Sequence, residues 1–75
     1  MSQFYEGDYV VELRASHPWT HARVEAPMNL SLGRPEYFIR FTSGRTEWVY
    51  EGHLWRSSER AFCREQAAFL LGVYS

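Results

Sequence analysis

The stretch YFIRFTSGRTEWVY, residues 37–50, constrains the fold of this chain more than any other segment. Tyr37, Ile39 and Phe41 alternate with Phe38, Arg40 and Thr42. Beyond Ser43-Gly44-Arg45, Trp48 and Tyr50 alternate with Glu47, Val49 and Glu51. Period-two patterning on both sides of a glycine free to take positive φ marks a β-hairpin. Alternation puts Tyr37, Ile39 and Phe41 on one face of their strand and Phe38 on the other, and it puts Trp48 and Tyr50 on a shared face of the next. A chain of 75 residues buries only about 60% of the surface its unfolded form exposes. One aromatic face must therefore fill the core, and the other stays wet, where a partner is to be sought.

The remaining segments extend this pattern. Gly7-Asp8 opens YVVELR, a β-branched, alternating run that predicts a first strand over 8–14. ASHP signals a turn. WTHARVEA then alternates Thr20, Ala22, Val24 and Ala26 with Trp19, His21, Arg23 and Glu25, a half-buried second strand. PMNLSLGRP, bracketed by Pro27 and Pro35, reads as a loop whose Leu30 and Leu32 cover the mouth of a barrel. GHLWR fits a 3₁₀ turn entering a short fifth strand, and Ser57-Ser58-Glu59 caps a helix over 59–72. At 100° per residue Phe62, Cys63, Phe69, Leu70 and Val73 form its apolar stripe, which makes Cys63 a buried thiol. Leu71 and Tyr74 fall off that stripe and offer a surface for homo-oligomerisation.

Composition bounds the function. With 45% apolar and 23% charged residues the chain has the makeup of one ordinary globular domain, 1–75. A net charge of −1 and a pI near 6.3 exert no general pull toward phosphate backbones or anionic membranes. The longest apolar run, Ala67 to Tyr74, is far short of the ~20 residues that span a bilayer, so no membrane contact is expected. The lone Cys63 and an opening MSQFYEGD without basic or apolar signal regions predict a cytoplasmic setting.

Four or five short antiparallel strands with a terminal helix describe a small SH3-like barrel. Within that class the residues resemble the Tudor family. Gly7-Asp8 opens strand one, Trp19, Ala22 and Val24 stand in a W-x-x-A-x-V run, Phe41-Thr42-Ser43-Gly44 takes the place of an F-x-D-G turn, and Val49 and Leu54 frame the 3₁₀ turn. The resemblance spans about residues 5–56 and leaves the helix unmatched. It implies a cage of aromatic faces that reads a methylated Lys or Arg through cation–π attraction of about 0.5–2 kcal/mol per ring. Trp19, Phe41 and Trp48 are the rings that match, with Tyr5 or Tyr9 near them and Glu47 supplying charge. Thr20, where an aromatic often follows the tryptophan, and Ser43, where an acid often precedes the glycine, depart from the pattern. The chain also resembles the plasmid-type dihydrofolate reductases in its Gly-Asp and strand-two tryptophan. Aligning Tyr50 with their catalytic-strand tyrosine, however, puts Trp48 where a glutamine is required.

Catalytic chemistry finds no constellation. In an extended segment His17 and His21 lie roughly 13 Å apart, too far to share an ion. Ser57-Ser58 fits a helix cap rather than a nucleophile motif, and no glycine-rich phosphate loop is present. The expectation is a mainly β, SH3-like or Tudor-like barrel (about 5–56) with a C-terminal helix, acting as a non-catalytic module with neither cofactor nor metal. It binds a protein or peptide partner, methylated or not, through Trp19, Phe41, Trp48, Glu47 and Arg45. A second expectation is single-stranded nucleic acid held by Arg23, Arg40 and Arg45 beside Trp19, Phe38 and Trp48.

Overall fold

The computed structural model describes residues 4–12, 21–31 and 33–72, and for 27–31 the backbone alone. Its elements are β1 (Tyr9–Glu12), β2 (His21–Ser31), β3 (Arg34–Phe41), β4 (Thr46–Tyr50), a 3₁₀ turn (Glu51–His53), β5 (Leu54–Arg56) and α1 (Glu59–Leu70). All strand pairings are antiparallel, in one sheet of order β4-β3-β2-β1-β5. Among the described residues β4 and β5 are its two edges, so the sheet they form does not close on itself.

The hairpin forms where alternation placed it. Gly44 takes φ +92°, its N–H donates to Phe41 O at 2.8 Å, and Phe41 N–H donates to Arg45 O at 2.8 Å. A positive φ at this point twists the chain as the strands twist. Residues opposite one another in an antiparallel ladder share a face. Tyr37 with Val49 and Ala22 with Phe41 therefore point inward, where they join Phe4, Val10, Val24, Ile39 and Leu54 in one buried cluster. Phe38 opposite Trp48 and Glu36 opposite Tyr50 point outward.

The segment read as a loop between the prolines is instead strand. β2 continues to Ser31, and Asn29, Leu30 and Ser31 pair with Glu36, Pro35 and Arg34. Register shifts between Val24 and Ala26 and between Ala26 and Asn29 explain why proline is tolerated, because Pro27 falls where no regular rung requires its missing N–H. Gly33, at φ +79°, turns the chain into β3. Residues 13 and 14 of the expected first strand, Trp19 and Thr20 of the second, the side chains of Leu30 and Leu32, and Val73 and Tyr74 of the expected helical surfaces lie outside the described residues.

Ser58 caps α1, its Oγ accepting from Ala61 N–H at 3.1 Å. The face turned to the sheet is Ala61, Phe62, Glu65 and Ala68, which corrects the expected stripe. Phe62 is buried beside Tyr9, ring centroids 5.3 Å apart, and belongs to no part of the inner cluster. Glu65 accepts from Thr42 Oγ1 at 2.7 Å and from His21 N–H at 3.0 Å. Those polar anchors rotate the helix so that Cys63 and Leu70 face solvent. Cys63 is thus an exposed thiol, not a buried one. Among the described residues no helix is long and apolar enough to cross a membrane.

Candidate functional site

The residues singled out from sequence do not share one surface. Trp19 lies outside the described residues. Phe41 is 1% exposed in the core, whereas Trp48 is 45% exposed on the outer face, so the two do not line a common cage. Glu47 stands opposite Ile39 at the rim of the inner face and pairs with exposed Arg45 at 3.3 Å. On the outer face Trp48 leans on Phe38, centroids 5.3 Å apart at 46°.

The cations proposed to hold nucleic acid are all engaged. Glu25 takes Arg23 and Arg40 at 2.8 Å each, and Arg40 also donates to Gly44 O at 3.3 Å. The hydrogen bond from Arg40 holds the Glu25 carboxyl below its ordinary range, against the opposing effect of its partial burial. A phosphate approaching Arg23, Arg40 or Arg45 must compete with a carboxylate already in place.

A concave site lies elsewhere, at the bend where the chain leaves β4, makes its 3₁₀ turn and enters β5. An open cleft of about 480 Å³ is lined by Phe4, Tyr50, Glu51, Gly52, Leu54, Trp55 and Arg56. Its floor is fixed from the core outward. The buried Tyr37 hydroxyl donates to Glu51 Oε2 at 2.5 Å and accepts from Phe4 N–H at 3.3 Å, while the Phe4 ring meets Tyr37 edge-on at 5.4 Å. One phenol thereby ties the N-terminal segment and the 3₁₀ turn to the sheet. Val49 and Leu54, both buried, pin the two ends of that turn.

Tyr50 forms one wall. Its ring lies so close over Gly52 that a Cβ there would come within 2.5 Å of Tyr50 Cε2. His53 meets the ring edge-on at 5.5 Å, and the Arg34 guanidinium lies 5.7 Å from its centre. Trp55, 62% exposed, is the other wall. The Arg56 guanidinium covers Phe4 at 5.2 Å and reaches Asp8 Oδ2 at 3.4 Å. The rings of this site accept cations over their faces, as the chain's own arginines demonstrate, and the half-buried Glu51 adds a carboxylate beside them.

Tyr50, Glu51, Gly52, Trp55 and Phe4 were not singled out from sequence as binding residues. Alternation did place Tyr50 on the face of Trp48. It carried no sign that the 3₁₀ turn would bring Trp55 back across from Tyr50, since that proximity comes from a reversal of the chain. Among the described residues no group of three or more His, Cys, Asp or Glu is arranged to hold a metal ion. No protein-family model matches the chain, and no curated protein matches it as a relative.

Proposed function

We propose that this chain is a non-catalytic binding module of the SH3-like, Tudor-like kind, which grips a protein or peptide partner through exposed aromatic side chains. The cleft between Tyr50 and Trp55 is the observation that carries this reading. Clefts with aromatic walls held in place and polar groups between them suit side-chain recognition, because little entropy is lost in ordering rings already held. Tyr50 is held by Gly52, His53 and Arg34. Trp55 supplies most of the exposed ring surface, and Glu51 favours a cationic or hydrogen-bonding residue of the partner.

The strand order, the 3₁₀ turn between β4 and β5, and the burial of Ala22, Val24, Val49 and Leu54 support the Tudor-like reading, with the cage relocated away from Phe41. A cytoplasmic setting belongs to the same reading and rests on the single cysteine. The test is capture of peptides from an immobilised library carrying Lys, Arg and their methylated forms, followed by titration of the retained peptides. Trp55→Ala and Tyr50→Ala are expected to weaken binding at least about tenfold while the melting temperature changes little for the exposed Trp55. Peptide binding indifferent to both substitutions, or retention only of oligonucleotides in a steeply salt-dependent manner, would overturn the assignment.

A further inference from the structure

β4 presents an open strand edge. Among the described residues its only neighbour in the sheet is β3, and the ladder between them runs from Arg40–Thr46 to Glu36–Tyr50 with no shift of register. The direction of each main-chain group follows from the alternation of hydrogen-bonded and non-bonded rungs. Phe41 N–H bonds to Arg45 O, so the pairs Ile39–Glu47 and Tyr37–Val49 are bonded rungs as well. The N–H and C=O groups of Thr46, Trp48 and Tyr50 therefore point away from the sheet. Strand edges are ordinarily blunted by proline, a bulge, extreme shortness or charged side chains, and of the charges β4 carries Glu47, which Arg45 pairs at 3.3 Å. The other edge, β5, is only three residues long. β4 has five residues, TEWVY, with neither proline nor glycine and no bulge against β3.

We infer that β4 is a self-association edge on which a second copy of this chain pairs antiparallel about a two-fold axis at Trp48, joining two sheets into one. This goes beyond the cleft and does not rest on it. With the axis at Trp48, Trp48 meets Trp48 of the second copy, Thr46 meets Tyr50 and Tyr50 meets Thr46. Every outward-pointing residue of one strand thus meets an outward-pointing residue of the other, which gives the fullest set of bonded rungs open to this edge.

Charge selects the same register. Centring the pair on Glu47 would set two carboxylates directly opposite each other, which is unfavourable across strands. Centring it on Trp48 sets Glu47 against Val49 and brings exposed Arg45 toward the Glu51 of the second copy. Glu47 is in turn neutralised within its own chain by Arg45 at 3.3 Å. An interface in which each patch is its own complement is the hallmark of a closed two-fold dimer. Trp48, 45% exposed beside Phe38, supplies the central ring that such interfaces favour.

The test is the solution mass of the full chain by light scattering after gel filtration, from micromolar to sub-millimolar protein. A dimer of twice the 8.9 kDa chain mass is expected at the upper end. Thr46→Pro removes an outward N–H while leaving the rungs to β3 intact, and proline is compatible with such an edge position. It is expected to raise the dimer dissociation constant at least about tenfold, one hydrogen bond being lost in each copy, with an unchanged far-ultraviolet circular dichroism spectrum. Should Thr46→Pro fail to fold, Arg45→Glu, at an exposed turn position, decides the matter by placing a carboxylate toward Glu51 of the second copy, and it too must weaken the dimer. A wild-type monomer at every concentration overturns the inference. So does a dimer that survives the folded variants, which would put the contact elsewhere, such as on exposed Leu70 at the end of α1 and Leu71 at its C-cap.

Discussion

Tyr37→Phe isolates the hydroxyl that builds the cleft. Tyr37 is 0% exposed, and the substitution keeps its ring, its volume and its edge-on contact with Phe4. Only the oxygen is removed, and with it the 2.5 Å donation to Glu51 and the 3.3 Å acceptance from Phe4 N–H. A hydrogen bond to a charged group contributes about 1.5–3 kcal/mol and a neutral one about 0.5–1.5 kcal/mol. The 3.3 Å contact is long and belongs at the bottom of its range, and Glu51 is half-buried, so water takes back part of its loss. The expected cost is about 2 kcal/mol, mostly from the Glu51 contact. For a domain of this size each kcal/mol moves the melting temperature by about 4–8 °C, so a fall of about 8–16 °C is expected. Thermal melts followed by circular dichroism, with the same pair compared in urea, measure it. Glu51→Ala completes a cycle in which the two substitutions together must cost less than the sum of each alone, by about 1 kcal/mol or more. A fall below about 2 °C, with additive single effects, would refute the claim that this phenol joins the 3₁₀ turn to the core.

Three further outcomes follow from the same contacts. Gly52→Ala puts a Cβ within 2.5 Å of Tyr50 Cε2 and must push the ring off His53, which proton NMR detects as loss of the ring-current shift on the His53 imidazole; an unchanged shift contradicts the packing. Glu25 has a lowered folded-state pKa, so the stability it contributes is present above its ordinary range and is lost as pH falls through the depressed value. The advantage of wild type over Glu25→Gln, at most about 1 kcal/mol for so exposed a pair, should be full at pH 7 and vanish in strong acid; a constant difference across that range contradicts it. Glu65→Ala removes the acceptor of Thr42 Oγ1 and His21 N–H, at a cost of roughly 1–3 kcal/mol. Its clearest readout is faster amide hydrogen exchange in α1 than in β2 and β3, and uniform acceleration would mean the helix is not anchored there.

The hairpin was legible because alternation and a turn glycine are local signals, each sufficient in itself. Tyr37, Ile39 and Phe41 are dry, and Phe38, Trp48 and Tyr50 are wetter, along the division drawn from period two. The cap of α1 was legible for the same reason, since Ser58 and Glu59 act within one turn. Misreadings arose where a distant partner decides. Pro27 and Pro35 are loop signals by themselves, but a register break and the pairing of Asn29–Ser31 with Arg34–Glu36 absorb them. Helical periodicity marked Cys63 as inward because it weighed apolar size alone. The face is instead set by Glu65, whose donors come from residues 21 and 42. The cage failed at Phe41 because strand alternation separates it from Trp48, a conflict already present in the sequence once the register of β3 on β4 is known.

The cleft and the open edge meet in one residue, and that sharing gives the fold a means of coupling them. Tyr50 turns its ring to the cleft and its main chain to the edge of β4. A second copy pairing on β4 would set Thr46 opposite Tyr50 and stiffen the strand just before the 3₁₀ turn that carries Glu51. A ligand held by Tyr50 and Glu51 would order that same strand end and so favour pairing. Coupling of this kind is reciprocal in free energy. Affinity for a cleft ligand should therefore rise with protein concentration in wild type and lose that dependence in Thr46→Pro, whose cleft residues are untouched. Concentration-independent affinity in a wild-type protein that demonstrably dimerises would show that the Tyr50 ring and its backbone act separately, and would confine each surface to its own task.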